Sequence, residues 1–250
     1  MPRALLIFAL ALVLAPVATG SVRLYGDSFA VVDDPYGPPR VVDLAAGRVH
    51  ALYPAGRSFS LGSGFATPTP PRGRARFDAR GATIAGRRVP LLPLRSIPVR
   101  FRSDGATLAG TLLIPPGSGR RAAVAYVAGS GPTTRAYLPE LQALLLHNGV
   151  AVLAYDKRGV GASGGSYPGE SPTEAAIDQL ARDAAAAARF LAERAEVDPA
   201  RVGLAGHSQA GWIMPLAASR EAAVRFLVTF SGPAVTADEN DLYQSLAGEG

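Results

Sequence analysis

Short apolar runs separated by turn residues dominate the first part of the chain. Runs at residues 29–32, 40–42 and 49–53 have the length and residue types of strands, and proline- and glycine-rich turns separate them. Almost nothing between residues 21 and 95 has a helical period. These residues therefore predict a small, mostly antiparallel β-rich domain.

The pattern changes at residue 96, after which strand-like and helix-like runs alternate. Strands are expected at residues 97–102, 107–114, 122–128, 150–155, 202–205 and 226–230. Ser103-Asp104-Gly105 predicts a hairpin between the first two. Helices are expected at residues 138–147, at 209–219, and from a capping box at Ser171-Pro172-Thr173-Glu174 to about residue 196. This alternation predicts an α/β fold in residues 96–250, with a doubly wound, mostly parallel sheet.

Residues 1–20 have the composition of an export signal. Arg3 precedes an apolar run at residues 4–14, and small residues follow at 18–20. The run is shorter than the roughly 20 residues that span a bilayer, so we expect a cleaved signal peptide. The mature protein would be periplasmic or secreted, with no stable membrane insertion. The alternative is an uncleaved segment that tethers the protein to a membrane.

Composition and charge exclude several classes of function. The absence of cysteine excludes disulfides, thiolate nucleophiles and cysteine-based metal sites. The net charge is +5, and Lys157 is the only lysine. Arginines gather between residues 72 and 88, but no aromatic interleaving or binding motif accompanies them, so we expect a solvated strand face and no nucleic-acid partner.

Three serines are candidates for a nucleophile. Ser163 lies in the literal Gly-x-Ser-x-Gly pattern, but no strand leads directly into it and no helix follows. Ser28 resembles the first block of GDSL-type esterases, whose other two blocks are missing here. Ser208 differs from both, because an apolar strand enters its motif and a helix leaves it.

The surroundings of Ser208 fit a nucleophile elbow, a tight turn that lifts a serine hydroxyl above the edge of a sheet. The residues two before and two after the serine crowd each other in such a turn, and Gly206 and Ala210 are both small. Gly211 follows, and Ala210 departs from the usual glycine by one methyl group. The alternative is an ordinary strand-to-helix loop with Ser208 as its N-cap.

Two backbone amides are candidates for stabilising a negatively charged oxygen. The amide of Gln209, at the helix N-terminus, would point to where an oxyanion forms. A second amide is expected in the loop after the strand at residues 122–128, with Ser130 the best candidate and Gly131 the next. The alternative for Gly129-Ser130-Gly131-Pro132 is a simple turn.

Three segments together resemble the α/β-hydrolase superfamily, and in particular secreted or periplasmic serine esterases with an N-terminal β domain. They are residues 129–132, residues 155–163 and residues 206–211. The resemblance implies a small-molecule ester substrate, an acyl-enzyme on Ser208, and neither metal nor cofactor. It also implies that Asp156 and Arg158 form an ion pair that fixes a loop.

The acid and base of a catalytic triad are missing from this pattern. No histidine follows Ser208, and Asp238, Glu239 and Asp241 come so soon after the last strand that they resemble the start of a lid at about residue 235. We therefore expect the N-terminal portion of a longer hydrolase. The alternatives are a degenerate, non-catalytic binding relative, or a peptidase or acyltransferase on the same fold. The role of the β-rich domain and the oligomeric state stay open.

Overall fold

The computed structural model describes residues 22–33, 37–63, 73–169 and 173–247. The predicted export signal at residues 1–20 lies outside these residues. Within the described ranges, no helix combines the length and the apolar character needed to cross a membrane.

Eight short strands form an antiparallel sheet in the first part of the chain. Each strand pairs with the next, so that the order in the sheet is the order in the sequence. This meander is built from strands of four to eight residues, and tight turns such as those at Gly56 and at Ala85-Gly86 join several of them. The strands are β1 (Val22–Tyr25), β2 (Phe29–Val32), β3 (Arg40–Asp43), β4 (Arg48–Ala55), β5 (Ser58–Ser63), β6 (Arg74–Asp78), β7 (Gly81–Ile84) and β8 (Arg87–Pro90).

A second sheet of six strands follows, and it begins with the predicted hairpin. Asp104 and Gly105 have φ values of 41° and 78°, which suit a two-residue turn between twisted strands. The strands are β9 (Arg95–Ser103), β10 (Ala106–Ile114), β11 (Arg121–Val127), β12 (Ala151–Tyr155), β13 (Val197–His207) and β14 (Phe226–Phe230).

The strand order of the second sheet is β14-β13-β11-β12-β10-β9. Strands β12, β11, β13 and β14 run parallel to one another, whereas β10 is antiparallel to both β12 and β9. Because parallel strands end at the same edge, the loops after β11, β12 and β13 leave the sheet side by side. The predicted fold class, a mostly parallel α/β sheet preceded by a β-rich region, is confirmed.

Four helices lie within the described residues: α1 (Pro139–His147), α2 (Glu174–Ala192), α3 (Ala210–Arg220) and α4 (Ala237–Ala247). The N-terminus of α2 differs from the expected capping box, because the side chain of Thr173 is the cap and accepts from Ala176 N. The helix also ends before the expected residue 196. Val197 already pairs with Arg121 in the sheet, so the residues before it must turn out of the helix.

Side chains alternate between the two faces of the sheet along each buried strand, so both faces of the six-stranded sheet are apolar. Helices cover both of these faces. Ala123 and Ala125 of β11 lie in a core cluster with α2 and α3. Val124 and Tyr126 lie in a second cluster, on the side of α1. The buried alanines of α2 let that helix approach the sheet closely.

Helix α1 also joins the two sheets. Val22 and Leu24 of β1 are in the same buried cluster as Leu145 of α1. A salt bridge between Arg40 of β3 and Glu140 of α1 lies beside this apolar contact. The eight-stranded sheet therefore packs against the helical layer on one face of the six-stranded sheet.

Candidate active site

Ser208 occupies the turn between β13 and α3, and its side chain is exposed. Its φ of 52° is in the left-handed region, which costs free energy for any residue other than glycine. Two backbone hydrogen bonds hold the turn: Ser208 N donates to Phe230 O at 3.2 Å, and Gly211 N donates to Ser208 O at 2.8 Å. The strained conformation is thus anchored to the neighbouring strand and to the helix that follows.

The residues around Ser208 are packed so closely that two positions admit no side chain. A Cβ at Gly206 would lie 2.3 Å from Val127 O and 2.6 Å from Ala210 Cβ. A Cβ at Gly211 would lie 2.7 Å from Pro233 Cδ. The crowding expected for an elbow is therefore present, and the methyl group of Ala210 fits within it in a fully buried position.

The two amide-bearing segments lie side by side. Val127 pairs with Gly206, so the loop after β11 and the turn after β13 leave neighbouring strands at the same level. Among the described residues, no backbone carbonyl accepts a hydrogen bond from the amides of Gln209, Ser130 or Gly131. These three N–H groups are therefore available to an incoming oxygen.

His207 lies directly before the turn and shares a hydrogen bond with Tyr126 through its Nδ1 atom at 3.1 Å. Its ring stacks on that of Tyr137, with 5.4 Å between centroids. Burial and the nearby charge of Lys157 lower the pKa of His207. The imidazole also lies over Gly129, where an added Cβ would be 2.6 Å from Nε2.

Lys157 is the residue that the sequence analysis missed. Its buried ammonium donates to the carbonyl oxygen of Gly129, to that of Gly131 at 3.0 Å, and to Gln209 Oε1 at 3.4 Å. Burial lowers the pKa of Lys157 to about 8. The one available signal was its position, as the only lysine of the chain, directly after a buried strand.

Asp156 and Arg158 do not pair with each other, so the expected ion pair is wrong. Asp156 binds Arg135, whose side chain reaches it through Nε at 2.9 Å and Nη2 at 2.7 Å. Arg158 binds Asp183 of α2, with Nη2 to Oδ1 at 2.6 Å and Nε to Oδ2 at 3.1 Å. In each observed pair, the arginine donates two hydrogen bonds to the carboxylate. A direct pair between Asp156 and Arg158 would replace both of these two-bond contacts.

The pKa values of the two carboxyl groups respond differently to burial. Burial raises the pKa of Asp156, but hydrogen bonds from Arg135 and from Ala162 N outweigh it, so the pKa is below its usual value. For Asp183, burial outweighs the contacts with Arg158 and the pKa is raised. Both ion pairs fix the loop after β12 to its surroundings.

The other two candidate serines serve the fold. Ser163 is buried, its Oγ donates to Asp156 O at 2.7 Å, and it accepts from Ala109 N at 2.9 Å. Ser28 is buried as well, and its Oγ donates to Asp27 Oδ1 at 2.7 Å.

The described residues place no acid or base against Ser208. Within those residues, the hydroxyl of Ser208 makes no hydrogen bond, and no group of His, Asp and Glu side chains could hold a metal ion. Glu239 accepts from Thr236 N and Thr236 Oγ1, which caps the start of α4. Asp238 lies in the first turn of the same helix.

Comparisons with solved structures give matches of low sequence identity. A hypothetical protein from Pseudomonas aeruginosa is 23% identical, with 62% of this chain and 52% of that chain covered and a TM-score of 0.48. An α/β-hydrolase from Penicillium is 24% identical, with 63% and 53% covered and a TM-score of 0.47. An esterase from Pyrococcus furiosus is 22% identical, with 56% and 53% covered and a TM-score of 0.47.

The chain spans about half the length of these solved structures. No curated protein matches its sequence. The family model described as serine aminopeptidase, S33, matches residues 118–248, which is more than half of the chain. The match runs from before β11 to the end of α4 and includes the turn at Ser208. The chain therefore belongs to the S33 serine aminopeptidase family of α/β-hydrolases.

Proposed function

We propose that the protein is a serine hydrolase that cleaves carboxylic esters through an acyl-enzyme on Ser208. The observation that carries the proposal is the strained, exposed serine between a buried strand and a helix, beside backbone amides with no backbone acceptor among the described residues. Strain of this kind persists where the surrounding structure imposes it, and it is common at catalytic positions.

In the proposed reaction, Ser208 Oγ attacks the acyl carbonyl carbon of the ester. The carbonyl oxygen becomes negatively charged and accepts hydrogen bonds from the N–H groups of Gln209 and Ser130, with Gly131 next to them. The N-terminus of α3 adds a favourable electrostatic contribution. The alcohol leaves, and water then releases the acyl group from Ser208.

A serine hydroxyl is a weak nucleophile without a general base. We assign this role to a histidine that a carboxylate orients. The described residues do not place such a pair beside Ser208. On this fold, the acid and then the histidine follow the serine along the chain.

Peptide hydrolysis is the second candidate, and the description of the matched family favours it. The same attack on an amide carbonyl would release an amine instead of an alcohol. Turnover of short-chain esters, aminoacyl amides and thioesters by the full-length protein separates an esterase from a peptidase and an acyltransferase. Export through residues 1–20 stays a prediction, which the N-terminal sequence of the mature protein tests.

A fluorophosphonate probe, which reacts with activated serines, tests the nucleophile directly. We expect the full-length protein to be labelled, and Ser208→Ala to abolish the labelling because it removes the attacking oxygen. Ser163→Ala is the matched control, since this serine has the literal motif but is buried in structural hydrogen bonds. Labelling that survives Ser208→Ala, or that disappears in a folded Ser163→Ala protein, contradicts the assignment.

A further inference from the structure

Lys157 is a buried cation that bonds to oxygens of both candidate oxyanion segments. Its side chain carries three N–H donors, and three acceptors surround it: the carbonyl oxygens of Gly129 and Gly131 and the Oε1 atom of Gln209. Two of these acceptors lie in the loop after β11, and the third lies at the start of α3. A single ammonium therefore connects the two segments.

Keeping this charge buried is costly, because the described residues provide no carboxylate that pairs with it. The adjacent Asp156 is occupied by Arg135. The ring of Tyr167 lies 5.8 Å from the ammonium, and the charge of Lys157 also acts on His207, whose pKa it helps to lower. Burial lowers the pKa of Lys157 to about 8, so folding disfavours its charged form, and stability alone does not explain its position.

The contact with Gly129 determines the direction of a neighbouring amide. The carbonyl of Gly129 and the N–H of Ser130 belong to one peptide unit, and in a trans peptide they point in opposite directions. Holding the carbonyl towards Lys157 therefore turns the N–H of Ser130 away from the ammonium. A carbonyl that accepts from a cation is also polarised, which makes the N–H of the same unit a stronger donor.

The contact with Gln209 acts on the other amide. The Gln209 side chain is buried, and its Oε1 atom faces the ammonium. This contact restrains the residue whose own backbone N–H is the second candidate donor. The ammonium thus acts on the positions of both Ser130 and Gln209, and among the described residues it makes no hydrogen bond to Ser208 itself.

We propose that Lys157 is a positioning residue that aligns the N–H groups of Ser130 and Gln209 by holding the Gly129 carbonyl and the Gln209 side chain with one protonated ammonium. This inference rests on the proposed function, because the alignment matters only if these amides stabilise an oxyanion. Loss of this alignment should lower kcat more than it changes KM, because donors that act on the transition state change kcat more than KM.

The alignment depends on the protonation state of Lys157. Deprotonation removes the charge and one donor, so kcat falls as the pH rises through the pKa of this group. His207 faces the same loop and is neutral in this range, because its pKa is lowered. Asp156 stays ionised and bound to Arg135, because its pKa is below the usual value.

The test compares Lys157→Met and Lys157→Arg with the unsubstituted full-length protein, with kcat and KM for a short-chain p-nitrophenyl ester measured from about pH 6 to about pH 10. We expect kcat of the unsubstituted protein to fall above pH 8. Lys157→Met lowers kcat by about 10- to 100-fold with little change in KM, and it removes the alkaline decline. Lys157→Arg keeps part of kcat and loses the decline, because a guanidinium stays charged.

Arg158→Lys is the control for a buried cation in the same loop. It weakens the contact with Asp183 and lowers the melting temperature, but it keeps the alkaline decline. Lys157→Met with unchanged kcat, or with an unchanged alkaline decline, overturns the inference and leaves Lys157 a structural residue. If Lys157→Met does not fold, the presence or absence of the decline in Lys157→Arg decides by the same criterion. Failure of the proposed function itself is distinct, because the unsubstituted protein would then show neither ester turnover nor labelling at Ser208.

Discussion

Replacing Asp156 by asparagine tests how the loops around the candidate site are held. The carboxyl group is almost fully buried and accepts four hydrogen bonds. Three come from Arg135, through N at 2.8 Å, Nε at 2.9 Å and Nη2 at 2.7 Å, and one comes from Ala162 N at 2.9 Å. The side chain thus ties the loop after β11 to the loop after β12.

The expected loss of stability follows from which bonds asparagine can keep. Oδ1 of Asp156 accepts from Arg135 N and Nε, and an amide oxygen can still do so. Oδ2 accepts from Arg135 Nη2 and Ala162 N, and an amide NH₂ group there faces two donors. Breaking a buried pair on one side costs about 3–5 kcal/mol. The Arg135 side chain is 17% exposed and keeps some hydration, so we expect the lower end, about 3 kcal/mol.

The pH dependence of this loss has a definite sign. Because the folded-state pKa of Asp156 is below its unfolded value, the group contributes its full stability above the unfolded pKa of about 4. The contribution disappears as the pH falls through the folded-state pKa. The difference in stability between the unsubstituted protein and Asp156→Asn should therefore shrink on acidification.

Urea unfolding of the two proteins at neutral and acidic pH measures both effects. Asp78→Asn is the matched control, since Asp78 also binds two nitrogens of one arginine, Arg88, at 2.6 and 2.9 Å. That pair is about half exposed on both sides, so its removal should change stability little. A loss for Asp156→Asn no larger than that for Asp78→Asn, or one that does not change with pH, would refute the reasoning.

Two substitutions near Ser208 test how close packing around this serine affects its reactivity. Gly206→Ala places a Cβ 2.3 Å from Val127 O, a backbone atom that cannot move cheaply, so we expect a loss of about 1–3 kcal/mol in urea unfolding and at least tenfold slower fluorophosphonate labelling. Gly129→Ala places a Cβ 2.6 Å from His207 Nε2, so it should displace the imidazole and slow labelling, with the shift visible in the NMR signals of that ring. Gly164→Ala is the control for both, because its nearest contact would be an ordinary 3.5 Å; equal effects at all three glycines would contradict this account.

Local patterns in the sequence predict most of the elements of this fold. The runs at residues 29–32 and 226–230 coincide with β2 and β14. Turn residues bound the first run on both sides, and Ser231-Gly232-Pro233 ends the second. The sequence predicts the end of α2 about four residues too late, because the pairing of Val197 with Arg121 is a long-range contact that helix propensity does not reflect.

The tight turn at Ser208 was predictable for the same local reason. A tight turn after a buried strand requires small neighbours, and Gly206, Ala210 and Gly211 are all within a few residues of Ser208. The partners of the charged residues were not predictable in this way. Asp156 meets Arg135 across 21 positions.

The sequence by itself determined most strands and helices between residues 97 and 230 and which serine occupies the strained turn, because both depend on neighbours along the chain. Only the tertiary structure decided what surrounds that turn. Strand β11 lies between β12 and β13, so the loops after all three strands meet at one edge of the sheet. That order brings Lys157 to Gly129, 28 positions away, and to Gln209, 52 positions away. This strand order depends on the packing of helices on both faces of the sheet. The sequence around a single lysine in a loop does not indicate it.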